Sequence, residues 1–164
     1  MIYTTDDLCL SNLHYFSYWD RIKEIKPELK LIAFTIANYC KRENVGESKD
    51  FKEWFNGHKD WVDIGVHGYD HEYPPEGERD NQEELIRLSL EILKPFLKEK
   101  YLYRAPGFQT TCKTEPIVKA LGFAGIAHQN RIKYFDGSFE ENVVNTHCCD
   151  KWDNPITKVW DKIC

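Results

Sequence analysis

Two histidines four residues apart stand just beyond a short apolar run in "VDIGVHGYDHEYPP", residues 62–75. Neutral imidazoles suit Zn²⁺ and related divalent ions, and His67 and His71 on one short turn can share an ion at ~2.0–2.1 Å. Carboxylates gather at a second place, Asp6-Asp7 after "IYTT". A guanidinium, Arg104 in "YLYRAPGF", and a late imidazole, His147 in "NVVNTH", complete a set of ionisable groups that each follow an apolar run. Each motif also has an ordinary reading. Paired aspartates at a strand end serve as a helix N-cap plus a solvated charge, and Pro106-Gly107 reads as a turn. Cys148 and Cys149, beside His147, would point to opposite faces of a strand and do not easily ligate one ion together.

The groups work together only if the intervening elements bring them to one place. "MIYT" is a first strand. "SNLHYFSYWDRIKEIK" carries Leu13, Phe16, Trp19, Ile22 and Ile25 at spacings of three, the buried face of a helix that Pro27 ends. "LKLIAFTI" is nearly continuous in apolar residues, as a strand covered on both faces is. "SKDFKEWFNGHKDW" is a helix with Gly57 as its C-terminal cap, and "VDIGV" is the next strand. In "DNQEELIRLSLEILKPFLKEK", Asp80 and Glu83 form a capping box, Leu85, Leu88, Ile92 and Phe96 form the stripe, and Pro95 kinks or restarts the helix. Then come the strand "YLYRA", a small helix "EPIVKALG" ending at Gly122, the strand "FAGIAH", a hairpin through "RIKYFDGSF" and the strand "NVVNTH". A closing helix in "NPITKVWDKIC" follows.

Strands alternating with helices predict an α/β fold, a parallel sheet with helices outside, open or closed into a barrel. In such folds the C-terminal ends of the strands converge on one rim, where active sites sit. Asp6, Asp7, His67, His71, Arg104 and His147 all fall there. His128, at the end of "GIAH", reaches the same rim and is a candidate for touching substrate.

Length and composition set the outer limits. A chain of 164 residues fits one domain, residues 1–164, and buries roughly 70% of its unfolded surface. The net charge of −5, with no long basic run, argues against a nucleic-acid partner. No apolar stretch approaches the ~18 residues of a membrane span, so no membrane insertion is expected. "MIYTTDDLCL" lacks the pattern of a secretory leader, and the six cysteines include no C-x-x-C pair. Reduced thiols in a cytoplasmic protein are the expectation.

The ordered set "TTDD", "HGYDH", "YRAPGF" and "NTH" resembles the polysaccharide deacetylase family, the nodulation-protein-B homology domain of carbohydrate esterase family 4. Its usual motifs are T-F-D-D, H-[ST]-x-x-H, R-x-P-[YFG]-G and a late L-x-H. The likeness extends over roughly residues 1–149. It implies a distorted, shortened (β/α) barrel with about seven strands. It further implies that Asp7, His67 and His71 hold one divalent metal ion, Zn²⁺ first, with Co²⁺, Fe²⁺, Mn²⁺ and Ni²⁺ as alternatives. Asp6 would be the general base toward water, and Arg104 its ion-pair partner. His147 would protonate the leaving amine, because an amine leaves poorly unless protonated. A backbone N–H near Gly107 would hold the oxyanion. Thr5, Pro106, Phe108 and His128 would border the substrate, and Trp152 would offer an aromatic face for a sugar.

The chain departs from the family pattern at several points. Thr5 replaces the aromatic of the first motif, Gly68 the hydroxyl residue of the second, and Phe108 stands where a glycine is usual. No D-x-x-D-W motif lies between Phe108 and His147; Asp136 in "YFDG" is at best a remnant. The resemblance implies a metal-dependent hydrolase that removes an acetyl group from an N-acetylated saccharide or sugar conjugate. Two alternatives stand beside it: a catalytically silent glycan-binding module on the same fold, and a metal-dependent amidase or esterase for another small acyl substrate.

Overall fold

A computed structural model describes residues 1–147, His147 by its backbone. In chain order the elements are β1 (Ile2–Leu8), a 3-10 stretch Leu10–Phe16 running into α1 (Ser17–Ile25), β2 (Leu31–Thr35), the hairpin β3 (Asn38–Tyr39) and β4 (Glu43–Asn44), and α2 (Lys49–His58). They continue with β5 (Val62–Val66), α3 (Gln82–Leu93), β6 (Leu102–Tyr103), α4 (Thr114–Ala120), β7 (Gly125–Ala127), β8 (Ile132–Tyr134), β9 (Phe139–Glu140) and β10 (Val143–His147). Trp152, Cys148, Cys149 and the expected closing helix lie outside the described residues.

The main sheet has eight strands in the order β10-β1-β2-β5-β6-β7-β8-β9, where the resemblance implies about seven. Pairing is parallel from β10 through β7 and antiparallel at β7–β8 and β8–β9. The antiparallel pair is the expected hairpin, which turns at Gly137 with φ +93°, a conformation glycine enters without steric cost. Among the described residues no pairing joins β9 to β10, so the sheet stays open there.

Register explains why the ionisable groups meet. Leu8 pairs with Thr35, Thr35 with Val66, Val66 with Tyr103 and Tyr103 with Ile126, while Asp6 pairs with His147. The strands therefore finish at one level, and the residues just beyond them, His67, Arg104 and His128, share a rim with Asp6 and Asp7. Beneath it, Leu31, Ala33, Val62, Ile64 and Val66 are buried on one face, and Phe34 on the other packs in a second cluster with Leu102, Ala127, Ile132 and Val143, as a sheet covered on both faces requires.

The helices depart from expectation in instructive ways. Phe16, Trp19 and Ile22 are buried, but Ile25 is 53% exposed. A spacing of three stays aligned only at 3-10 pitch. Once α1 begins, nine residues at 3.6 per turn carry Ile25 about 180° away from Phe16. In α3 the buried set is Gln82, Leu85, Ile86, Ser89 and Leu93, a true 3.6-residue stripe, so Leu88 and Ile92 sit at its margin. Its N-cap is Asn81 rather than Asp80, with no side-chain cap bond, and Lys94–Phe96 tightens into a 3-10 turn around Pro95. Gly57 does not end α2. His58 extends the helix by one residue, its Nδ1 lying 2.6 Å from the Trp54 carbonyl, and the Lys59 N–H donates to the Phe55 carbonyl.

Candidate active site

The two aspartates owe their joint use to a bulge. Neighbours in an unbroken strand point to opposite faces, which would send Asp6 and Asp7 apart. The β1–β2 register shifts between Thr5 and Leu8, and Asp7 takes φ +60°, a left-handed conformation that costs a non-glycine residue roughly 1–2 kcal/mol. A bulge re-aims a side chain in this way. Asp6 turns to Arg104 and Asp7 to the histidines. The carboxamide of Asn12 holds the bulge: it accepts from the Cys9 N–H at 2.9 Å and donates to the Asp7 carbonyl.

Across the rim, Asp7 Oδ1 lies 3.1 Å from Nε2 of His67 and 3.1 Å from Nε2 of His71. The three ligand atoms fall within 4.8 Å of one another. His67 is buried, and its Nδ1 lies 2.9 Å from the Arg104 carbonyl. A carbonyl only accepts, so Nδ1 carries the hydrogen, and this bond orients the ring so that Nε2 faces Asp7. For His71, burial opposes a charge, but the hydrogen bond and charge of Asp7 outweigh it and raise the imidazole pKa above its ordinary value.

The loop between the histidines is built around close contacts. Gly68 has φ +75°, and a Cβ there would lie 2.7 Å from Pro106 Cγ and 2.9 Å from Glu76 Oε2. Neither serine nor threonine fits in this packing, which accounts for the departure from the family pattern. Glu76 is buried beneath the loop, accepting from the Tyr69 N–H at 2.9 Å and the Tyr103 hydroxyl at 2.8 Å. Burial raises its pKa, with those two hydrogen bonds opposing.

Arg104 and Asp6 form the second half of the site. The Arg104 side chain is fully buried, with Nη1 2.5 Å from Asp6 Oδ1. The same nitrogen meets Thr4 Oγ1 at 3.2 Å and Asn145 Oδ1 at 2.7 Å, while Nη2 donates to the His128 carbonyl at 3.0 Å. Asn145 closes the ring by donating from Nδ2 to Asp6 Oδ2 at 2.7 Å. The guanidinium carbon sits 4.0 Å from the centroid of the Phe34 ring and 5.5 Å from that of Phe108, within cation–π range. Burial pulls the Arg104 pKa down, while the charge and hydrogen bond of Asp6 pull it up.

The remaining expected residues divide. Gly107 is exposed at φ +61° in a turn where the Phe108 N–H donates to the Ala105 carbonyl and the Gln109 N–H to the Pro106 carbonyl. Phe108 is half-buried over Arg104. Pro106 is buried against Gly68, and Thr5 is fully buried with its hydroxyl 3.3 Å from that of Thr146, so these two support the walls from behind. His128 is half-buried, and burial followed by the charges of Arg131, Arg104 and Lys133 lowers its pKa. The backbone of His147 lies beside Asp6 through the β1–β10 register. Asn12, Asn145 and Glu76 went unread in the sequence. Asn145 alone left a signal, because it is two residues before His147 and so shares its strand face.

A cleft of about 280 Å³ opens beside Asp7 and His71, lined further by Cys9, Asn12, Tyr15 and Tyr39. The donors at its edge suit a divalent ion. Nε2 of His67, Nε2 of His71 and the Asp7 carboxylate oxygen converge on one place, and with both imidazoles neutral a shared cation would satisfy all three. Ligand distances of ~2.0–2.1 Å to one centre place such donors roughly 3.0–3.4 Å apart.

The fold is that of carbohydrate esterase family 4. A pseudoenzyme of that family from Bacillus anthracis superposes with a TM-score of 0.66 at 14% identity, over 99% of this chain and 58% of its own. The chain thus spans little more than half the length of that neighbour. A family 4 carbohydrate esterase from Streptomyces lividans, in complex with acetate, gives 0.64 at 11% identity over 99% and 88%. A family 4 acetyl xylan esterase from Clostridium thermocellum, in complex with a cobalt ion, gives 0.66 at 11% identity over 99% and 82%. The sequence matches no protein-family model and no curated protein.

Proposed function

We propose that the protein is a metal-dependent hydrolase that removes an acetyl group from an N-acetylated saccharide or sugar conjugate. The observation that carries this reading is the pairing, on one rim, of the Asp7–His67–His71 donor set with the buried Asp6–Arg104 ion pair. The first would hold one divalent ion, Zn²⁺ before Co²⁺, Fe²⁺, Mn²⁺ or Ni²⁺. Such an ion supplies Lewis acidity, lowering the pKa of a water and polarising an amide carbonyl.

The chain's own residues do the rest. Asp6 takes a proton from the attacking water, its carboxylate aimed by Arg104 on one oxygen and Asn145 on the other. A backbone N–H near the exposed Gly107 donates to the oxygen that gains charge as the carbonyl becomes tetrahedral. His147 delivers a proton to the amide nitrogen as the C–N bond breaks, releasing acetate and a free amine. The cleft lined by Tyr15 and Tyr39 takes the sugar, and Phe108 and His128 border it on the Arg104 side.

Metal content and acetate release test the reading together. Protein purified without chelator should carry about one equivalent of metal, and an Asp7→Ala, His67→Ala, His71→Ala triple variant none. Acetate release from N-acetylated sugars should follow the metal. One observation favours a second reading, a silent glycan-binding module: the same fold carries a pseudoenzyme. Stoichiometric metal, intact sugar binding and no acetate release across amide and ester substrates would establish that reading instead. Turnover of other acyl groups but not acetamides would move the assignment to a small-substrate amidase or esterase.

A further inference from the structure

We infer that Arg79 is a positioning residue for the ligand His71, clamping its strained backbone from the outer side of the loop; this rests on the metal-site reading above. His71 adopts φ +57°. A bulky residue stays there only where the surroundings over-determine its conformation. In this loop the restraint comes from the residues on either side of it.

Asp70, immediately before His71, is buried, and Arg79 Nη1 lies 2.9 and 2.8 Å from its two carboxylate oxygens. Asp70 Oδ1 also accepts from the Glu72 N–H at 3.0 Å, closing a small ring across His71. Arg79 Nη2 donates to the Glu72 carbonyl, and Nε donates to the Pro74 carbonyl at 2.7 Å. One guanidinium therefore ties together a carboxylate and two carbonyls over residues 70–74, with His71 inside the span. Gly68 brings no hydroxyl to this loop. The Cys40 N–H donates to the Asp70 carbonyl at 2.9 Å and the Asn38 N–H to the Tyr69 carbonyl at 2.7 Å, which holds the loop up to His71, and Arg79 ties the residues that flank and follow it. Its planar set of donors serves this purpose in a way a lysine cannot. Lys41 also approaches, 2.6 Å from Glu72 Oε2 and 3.6 Å from Asp70 Oδ2, but its side chain is 57% exposed, where water and salt screen the contact.

Cobalt titration of the metal-free protein, followed by its visible absorption, tests the clamp without reference to turnover. Arg79→Met should weaken Co²⁺ binding by about 10- to 100-fold, the range for residues that orient metal ligands, and change the intensity of the Co²⁺ bands. Arg79→Lys should not restore affinity, and Lys41→Met should change it by less than about twofold. Wild-type affinity and spectrum in Arg79→Met would overturn the inference. So would a fall in the melting temperature of the metal-free variant with unchanged Co²⁺ affinity, because that outcome marks a purely structural arginine. If Arg79→Met does not fold, Asp70→Asn removes the charge from the other end of the same clamp and must show the same loss. A wild-type protein that binds no Co²⁺ sinks the metal-site reading itself, a result distinct from a loss confined to the variants.

Discussion

The two halves of the candidate site are held by opposite means. Asp6, Arg104 and Asn145 sit on or next to paired strands and are bonded to one another, the first two buried and Asn145 half-buried, so the sheet itself fixes them. Asp7 and His71 lie on backbone in the left-handed region, and side chains from elsewhere, Asn12 and Arg79, hold them there. The first half is rigid because it is part of the core. The second has its conformation imposed from outside, at the edge of a cleft that Asp7 and His71 line. A base must be aimed and its charge compensated, whereas metal ligands must stay accessible to an ion and to a substrate.

That contrast breaks hardest at Arg104. Arg104→Met leaves Asp6 as a buried charge without its partner, and we expect a loss of about 3–5 kcal/mol in urea denaturation. A loss below about 1 kcal/mol would mean that the ion pair is not what the core is built around. Asp6→Asn is milder for the fold and severe for the chemistry. Near-normal Co²⁺ binding with a turnover about 10²- to 10⁴-fold lower is expected from kinetics on an N-acetylated sugar that the wild type turns over. Retained turnover would remove Asp6 as the base.

Asn12→Ala probes the imposed half. It strips the bond on the Cys9 N–H and the donor to Asp7, and we expect about 1–3 kcal/mol of lost stability together with weaker Co²⁺ binding. Stability loss alone would place Asn12 with the rigid half. The smallest effect lies far from the rim, at His58. Burial opposes its charge, but the hydrogen bond to Asp20, the Trp54 carbonyl and the Asp20 charge raise its pKa above the ordinary 6.5. A raised histidine contributes its full stability below the unfolded value and loses it as pH rises through the native one. The melting temperature should therefore decline slightly across that window, and His58→Gln should flatten the decline. A variant with the wild-type slope would rule out the pair.

The sheet was legible because buried parallel strands must be apolar: "LKLIAFTI" and "VDIGV" have few other options. The rim was legible for the same reason, since a polar group directly after such a run has one place to go. Helix phase was harder to read. The spacing of three in residues 13–25 fits two helical pitches, and only packing divides the segment between them. Gly57 and Asp80 misled because a cap is decided by the competing bonds of neighbours, here His58 with the Trp54 carbonyl and the backbone of Asn81.

By itself, the sequence determined the α/β alternation, the six ionisable groups behind apolar runs and the family they resemble. Chemistry limits which residues can ligate an ion or accept a proton, and strand burial limits where they stand. The tertiary structure decided how those groups face each other. The bulge that turns Asp6 and Asp7 to different partners, the bonds of Asn145 to both Asp6 and Arg104, and the reach of Arg79 around His71 all depend on register and on contacts between residues far apart or on separate turns. No local pattern encodes such contacts, because each is set by the packing of the whole sheet and its loops.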